Sequence, residues 1–165
     1  LRGIRDRAIL LLAYDSMCRR SELVSLQIRD IQGLDGTEEL RIRLRISKRD
    51  QEALGRWLHM TDGSRAAVRE WLYSSKLTEG YLFRGVDTGE HLTEKLGNGA
   101  INKIYKRLAK KAALDKEIVD QISGHSIRVG AAQDLMSAGA TMPVLMQRGR
   151  WTKPDTVMRY LENAR

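Results

Sequence analysis

Apolar positions in the first seventeen residues recur at helical spacing. Ile4, Ala8, Ile9, Leu11 and Leu12 fall on one face, which predicts an amphipathic helix over 4–17. Asp15 and Ser16 interrupt it, and "RRSELVSL" predicts a second, short helix at 19–26. The period then changes. Leu40, Ile42, Leu44 and Ile46 alternate with Arg41, Arg43 and Arg45, the pattern of a half-buried strand. Gly33 and the pair Asp35–Gly36 mark turns before it, and "GRWLHM" at 55–60 supplies a partner. Residues 38–60 therefore read as a hairpin in a small sheet.

Helical spacing returns at "DGSRAAVREWLYSS" (62–75), with Asp62 or Ser64 as its cap. "GYLFRG" (80–85) is a short apolar run bounded by glycines and reads as another strand. "GNGAINKIYKRLAKKAAL" (97–114) predicts a helix with Ile101, Ile104, Leu108 and Ala112 inward and a basic outer face. "GHSIRVGAAQDLMSAG" predicts a helix closed by Gly139. "TMPVLMQRG" predicts a shorter one, capped by Thr141, with Pro143 in its first turn and Gly149 as its stop. "KPDTVMRYLENAR" is the last. The fold class expected is α+β: mostly helical, with one small antiparallel sheet.

Composition narrows the partners. The 165 residues fit a single domain, 1–165. Phe83 is the only phenylalanine, so the core must be built from Leu, Ile, Val, Ala and Met. The chain carries 29 Lys+Arg against 21 Asp+Glu, a net charge of +8, which favours a polyanion and nucleic acid first. Cys18 is the only cysteine, which excludes an intrachain disulfide and a Cys-rich zinc site and fits a reducing, cytoplasmic compartment. No apolar run approaches the length of a membrane span, so no membrane partner is expected. The chain opens on Leu1, directly into a helical pattern, as a piece cut from a longer protein would.

Several residues could carry chemistry. His125 and Arg128 stand three apart at a helix start, where free backbone N–H groups favour anions. Arg19 and Arg20 head a short helix with Glu22 close behind, and an arginine fork can grip two phosphate oxygens at once. Lys48 sits at a strand end, where it could protonate a leaving oxygen. Tyr160 follows Trp151 by nine positions on the last helix. Each has a plainer reading: a solvated charge, a cap or a packing residue.

Taken together and in order, these residues resemble the catalytic domain of the tyrosine recombinases, the phage-integrase family. The match runs through Arg19 with Glu22, Lys48, His125 and Arg128, Trp151, and Tyr160. The stretch from Gly124 to Leu161 looks especially like the Cre-like branch, which also carries Trp in the fifth place. Arg20 departs from the pattern, standing where an apolar residue commonly follows the first arginine, and Arg19 is chosen by its spacing to "SEL".

The resemblance implies the fold of the DNA breaking-rejoining enzymes and a site-specific recombinase or integrase. Tyr160 would be the nucleophile, forming a covalent 3′-phosphotyrosyl link. A phenol with an ordinary pKa of about 10 is only about a thousandth ionised at neutral pH, so the site must help. Arg19 and Arg128 would neutralise the phosphate oxygens, Trp151 would donate its indole N–H, and His125 would donate to the phosphate or relay the tyrosine proton. Lys48 would be the general acid and Glu22 would orient Arg19 or the lysine. No metal and no cofactor are implied. The partner is double-stranded DNA, bound as a tetramer by the full-length protein. The family's N-terminal core-binding domain and C-terminal tail are expected to lie outside this chain, which by itself could be monomeric. Arg41, Arg43 and Arg45, with Lys103, Lys106, Arg107, Lys110 and Lys111, would contact backbone phosphates; otherwise they are solvated faces.

Three other readings stay open at this stage, one of them a family member that has lost activity and only binds DNA. A type IB topoisomerase or a telomere resolvase would use the same chemistry. A helix-turn-helix regulator, with Ala131, Ala132 and the Gly139 turn, would bind DNA without cutting it.

Overall fold

The structure, a computed structural model, describes residues 1–36, 38–45 and 55–162, without the side chains of Tyr160 and Glu162. Helix α1 (Arg2–Ser16) buries Ala8, Ile9, Leu12 and Ala13, the stripe that the spacing predicts. It ends because Met17 adopts the left-handed conformation, with φ 50. Helix α2 (Arg20–Ser25) starts three residues later with Arg19 as its N-cap residue.

A single turn of tighter helix at Ile28–Asp30 leads into β1 (Ile31–Gln32). β1 pairs antiparallel with β2 (Arg41–Leu44), Ile31 opposite Ile42. β2 pairs antiparallel with β3 (Arg56–Trp57), Arg43 opposite Trp57. The alternation sorts as expected: Ile42 and Leu44 are buried and Arg41 and Arg45 are exposed. β1 is not foreshadowed by the pattern, because two residues are too few to show a period.

Helix α3 (Asp62–Ser75) packs along α1 and carries fully buried Trp71. Its cap is Thr61, whose hydroxyl accepts from the Ser64 N–H at 3.4 Å, rather than Asp62 or Ser64. The expected strand at 80–85 is not a strand. Tyr81 makes one isolated bridge to Gln27, and the run is fixed instead by Ile28 N–H donating to Gly80 at 2.9 Å and Leu82 N–H to Leu26 at 2.8 Å. The Trp71 indole donates to the Leu82 carbonyl at 2.7 Å. Leu82 and Phe83 are buried all the same, so burial without a continuous ladder explains the apolar run.

Helix α4 (Asn98–Lys111) buries Ile101, Ile104, Tyr105 and Ala109. Ala112, expected inward, is exposed because the helix ends one residue before it. Buried Asp6 ties α4 to α1: it accepts from Arg5 at 2.7 Å and from Arg107. A short α5 (Lys116–Gln121), unforeseen in the sequence, leads into α6 (Ser126–Ser137), α7 (Met142–Gly149) and α8 (Pro154–Glu162). Gly139 has the positive φ, +84, that closes the turn after α6. α7 runs through Gly149 and stops at Arg150, which is left-handed at φ 55.

Two apolar clusters result. The larger joins α1, α2, the sheet, α3 and α4. The smaller joins Met17, Ala131, Ala132, Leu145, Trp151 and Val157, from α6, α7, α8 and the turn after α1. Among the described residues, no helix is long and apolar enough to cross a membrane.

Candidate active site

The two clusters meet at the turn Met17–Arg19. Because Met17 is left-handed, its side chain enters the smaller cluster while its carbonyl becomes a shared acceptor. Arg128 donates to it from α6. Arg150 donates to it at 3.2 Å. A left-handed non-glycine residue costs of the order of 1 kcal/mol or more, offset here by two charged donors on one carbonyl.

Arg128 is 1% exposed. One terminal nitrogen donates to Met17 and the other to the Gly149 carbonyl. Its guanidinium carbon lies 4.6 Å from the centroid of the Trp151 ring, a cation–π pairing that burial strengthens. The opposite constraint on Trp151 comes from Gly149. A Cβ there would overlap Cζ3, Cε3 and Cη2 of the indole. The sequence assigns Gly149 as the stop of α7; the helix runs through it and ends at left-handed Arg150, and the glycine instead seats the tryptophan.

Arg19 and Glu22 form the second part. Glu22 is the third residue of α2, and its Oε2 accepts the Arg19 backbone N–H at 2.7 Å, half of a capping box. Its Oε1 accepts from the Arg19 guanidinium at 2.8 Å. Arg150 also reaches Oε2, at 2.8 Å. Burial pushes the Glu22 carboxyl up, but the Arg150 charge and the hydrogen bonds from Arg19 and Arg150 outweigh it and hold it below its ordinary value. Glu22 is therefore a carboxylate at neutral pH. Arg19 stays 45% exposed at its side chain, so its guanidinium is oriented yet accessible.

His125 is the exposed residue at the start of α6, one turn before Arg128. Arg20, first in α2, places its Cδ where it would crowd a Cβ on Gly124, so the neighbour of Arg19 turns toward the start of α6. Buried Cys18 lies inside the same turn, and burial pushes its thiol up to about 11. Tyr160 is on α8. That helix is docked by fully buried Val157, in the same cluster as Met17 and Trp151. The side chain of Tyr160 and the whole of Lys48 lie outside what the structure describes.

The basic candidates are distributed unevenly. Arg41 is exposed and stacks over Trp57, 4.3 Å from its ring centroid. Arg45 pairs with Asp30, and Arg43 is half-buried. Arg43, Arg45, Arg29 and Trp57 line a cavity of about 480 Å³ on the outer side of the sheet. On α4, Lys103, Lys110 and Lys111 are exposed, Lys106 donates to the Asp120 carbonyl at 2.9 Å, and Arg107 is committed to Asp6.

Sequence reasoning missed Arg150. The signal was a basic residue wedged between Gly149 and Trp151, but only the fold shows that its fork reaches back some 130 positions to Ser16, Met17 and Glu22.

This arrangement puts oriented guanidinium groups beside a helix start and the helix of a tyrosine, the parts needed to hold a phosphodiester against an oxygen nucleophile. Comparison with known proteins gives the family and the fold. Residues 2–165 match the sequence model of the Phage integrase family, and the chain belongs to that family. It is 31% identical to the recombinase Cre of Escherichia phage P1 over 97% of this chain and 50% of Cre. It is 27% identical to an integrase/recombinase XerD homolog of Selenomonas ruminantium, over 98% of this chain and 48% of that protein. Among solved structures, XerA recombinase superposes with a TM-score of 0.74 at 21% identity, over 97% of this chain and 52% of XerA. XerH recombinase bound to its palindromic difH substrate, a post-cleavage complex, superposes at 0.70 and 18% identity, over 98% of this chain and 44% of XerH. The fold is thus that of the tyrosine recombinase catalytic domain, mostly helical with a small three-stranded antiparallel sheet. The chain spans about half the length of the relatives it matches.

Proposed function

We propose that this chain is the catalytic domain of a site-specific DNA recombinase or integrase that cuts and rejoins DNA through a 3′-phosphotyrosyl intermediate on Tyr160. The observation that carries the reading is the shared anchor. Met17 accepts from Arg128 and contributes to the cluster that docks α8 through Val157. The helix of the nucleophile and the buried arginine are therefore fixed to one turn, the turn that also presents Arg19.

In the proposed reaction, the Tyr160 oxygen attacks the phosphorus and the bond to the 5′-oxygen breaks. The phenolic proton leaves as the new P–O bond forms, with His125 as its relay. The departing 5′-oxygen takes a proton from Lys48. Arg19 and Arg128 neutralise the charge that grows on the non-bridging oxygens, and such preorganised donors are worth roughly 10²–10³ in rate each. Trp151 donates through its indole and packs α8. A second 5′-hydroxyl then attacks the phosphotyrosine and releases the phenol, so the bond energy is kept and neither ATP nor a metal is required. Double-stranded DNA is the proposed partner, with Arg41, Lys103, Lys110 and Lys111 as exposed phosphate contacts. A tetramer on DNA is proposed for the full-length protein. The helix-turn-helix reading leaves the Arg19–Glu22–Arg150 assembly without a role.

The test is a trapping assay with nicked suicide substrates from the protein's own element, in EDTA. A DNA adduct that survives denaturation and disappears in Tyr160→Phe supports the reading. Retention of the adduct in Tyr160→Phe removes the nucleophile assignment.

A further inference from the structure

We propose that Arg150 is a positioning residue of the strand-transfer site: it holds Glu22 and the Met17 carbonyl in place, and through them Arg19 and Arg128. The inference rests on the recombinase reading above.

The backbone at Arg150 is left-handed, φ 55, a conformation that glycine adopts most readily. The chain carries a long cation there, and its side chain makes contacts a glycine could not. That contribution is geometric. One terminal nitrogen donates to the Ser16 carbonyl at 3.0 Å. The other is shared between the Met17 carbonyl at 3.2 Å and Glu22 Oε2 at 2.8 Å. A planar fork with two terminal nitrogens spans this set; a lysine ammonium is a single point and does not.

Each acceptor leads to a proposed phosphate ligand. Glu22 spends its other oxygen on the Arg19 guanidinium at 2.8 Å. Met17 is also the acceptor for Arg128. Arg150 is the only group among the described residues that touches both. Its side chain is 13% exposed, against 45% for Arg19, so it is placed behind the first arginine rather than in front of it. Without Arg150, Glu22 would keep only its two bonds to Arg19, backbone and guanidinium, and the pair would lose its tie to the Met17 turn, loosening the guanidinium that faces the phosphate. The next residue, Trp151, covers Arg128 with its ring, and the Arg150 fork shares with Arg128 the Met17 carbonyl.

The experiment compares wild type, Arg150→Gly, Arg150→Lys, Glu22→Gln and the Arg150→Gly/Glu22→Gln double variant, in the full gene-encoded protein. Arg150→Gly relieves the backbone while removing the fork, so it is the variant best placed to stay folded. Single-turnover cleavage is read at saturating DNA, and DNA affinity is read separately, below the melting range of every variant. The expected result is a cleavage rate down at least about tenfold in Arg150→Gly, with affinity within about threefold of wild type. In the Glu22→Gln background the same change should cost clearly less than in wild type, because the Glu22 arm is already weakened and chiefly the Met17 arm is left to lose. Arg150→Lys should recover only part of the rate. An equal loss in both backgrounds, or full recovery by lysine, overturns the inference. So does a loss confined to affinity, which would make Arg150 a direct DNA contact. If wild type forms a Tyr160-dependent adduct and Arg150→Gly cleaves normally, the inference alone fails. If wild type forms none, the recombinase reading fails and takes the inference with it.

Discussion

The Trp151 ring occupies the space that a Cβ on Gly149 would take. The same glycine's carbonyl accepts from Arg128, whose guanidinium stacks on the other residue of the pair. Gly149→Ala must therefore push the indole off both. Overpacking of this kind costs typically about 1–3 kcal/mol, readable by denaturant unfolding. Cleavage should fall further than stability does, because the ring that moves is the one that covers Arg128.

Arg128 is the most buried of the proposed phosphate ligands. Arg128→Ala leaves the Gly149 carbonyl without its donor and the Met17 carbonyl with Arg150 alone. An unsatisfied buried acceptor costs about 1–3 kcal/mol, so a loss of about 1–3 kcal/mol in unfolding free energy is expected. Arg19→Ala, at an exposed site with one ion pair, should cost well under half as much stability. Both should abolish detectable adduct. Equal stability losses would show that burial of Arg128 is not what separates the two arginines.

The Glu22 carboxyl is held below its ordinary value of 4.5. The sign follows from linkage: a depressed folded-state pKa contributes stability that is present above the unfolded value and is lost as pH falls through the folded one. Wild type should therefore lose stability as pH drops below about 4.5, and Glu22→Gln should lose less over that same window while being less stable at pH 7. Urea midpoints between pH 3 and 7 check this. Parallel curves for the two proteins would contradict it.

Burial pushes the Cys18 thiol up to about 11, and the side chain is 3% exposed. The thiol is protonated and shielded at neutral pH. Iodoacetamide should label the native protein far more slowly than the urea-unfolded chain, with no effect of short treatment on cleavage. Rapid native labelling would mean that the Met17–Arg19 turn opens readily.

Lys48→Ala should slow cleavage of ordinary DNA by roughly 10²-fold or more, the usual scale of general acid catalysis. It should barely slow a substrate with a 5′-bridging sulfur, whose leaving group needs no proton. Equal slowing of both substrates would remove Lys48 from that role.

Much of this was legible in the sequence, for stated reasons. Long elements with strong periods were readable: α1 from Ala8, Ile9 and Leu12, α4 from Ile101 and Ile104, and β2 from Ile42 and Leu44 alternating with arginines. The order of Arg19, Glu22, His125, Arg128, Trp151 and Tyr160 was enough to suggest the family. What failed was short or non-local. β1 is two residues long, and the 80–85 run is buried by bonds to Leu26 and Trp71 rather than by a ladder. Thr61 caps α3 from just outside the stretch whose period was read. Arg150 and Gly149 owe their importance to partners more than a hundred positions away, or to a ring whose place depends on the folded turn, and no spacing rule reports that.

The central claim is that Tyr160 carries the DNA. The most direct measurement is to digest the trapped adduct with nuclease and protease and map the nucleotide remnant by mass spectrometry. The remnant should be joined through a 3′-phosphate to the peptide that contains Tyr160. A remnant on Tyr14, Tyr73, Tyr81 or Tyr105, or on any residue other than Tyr160, would contradict it.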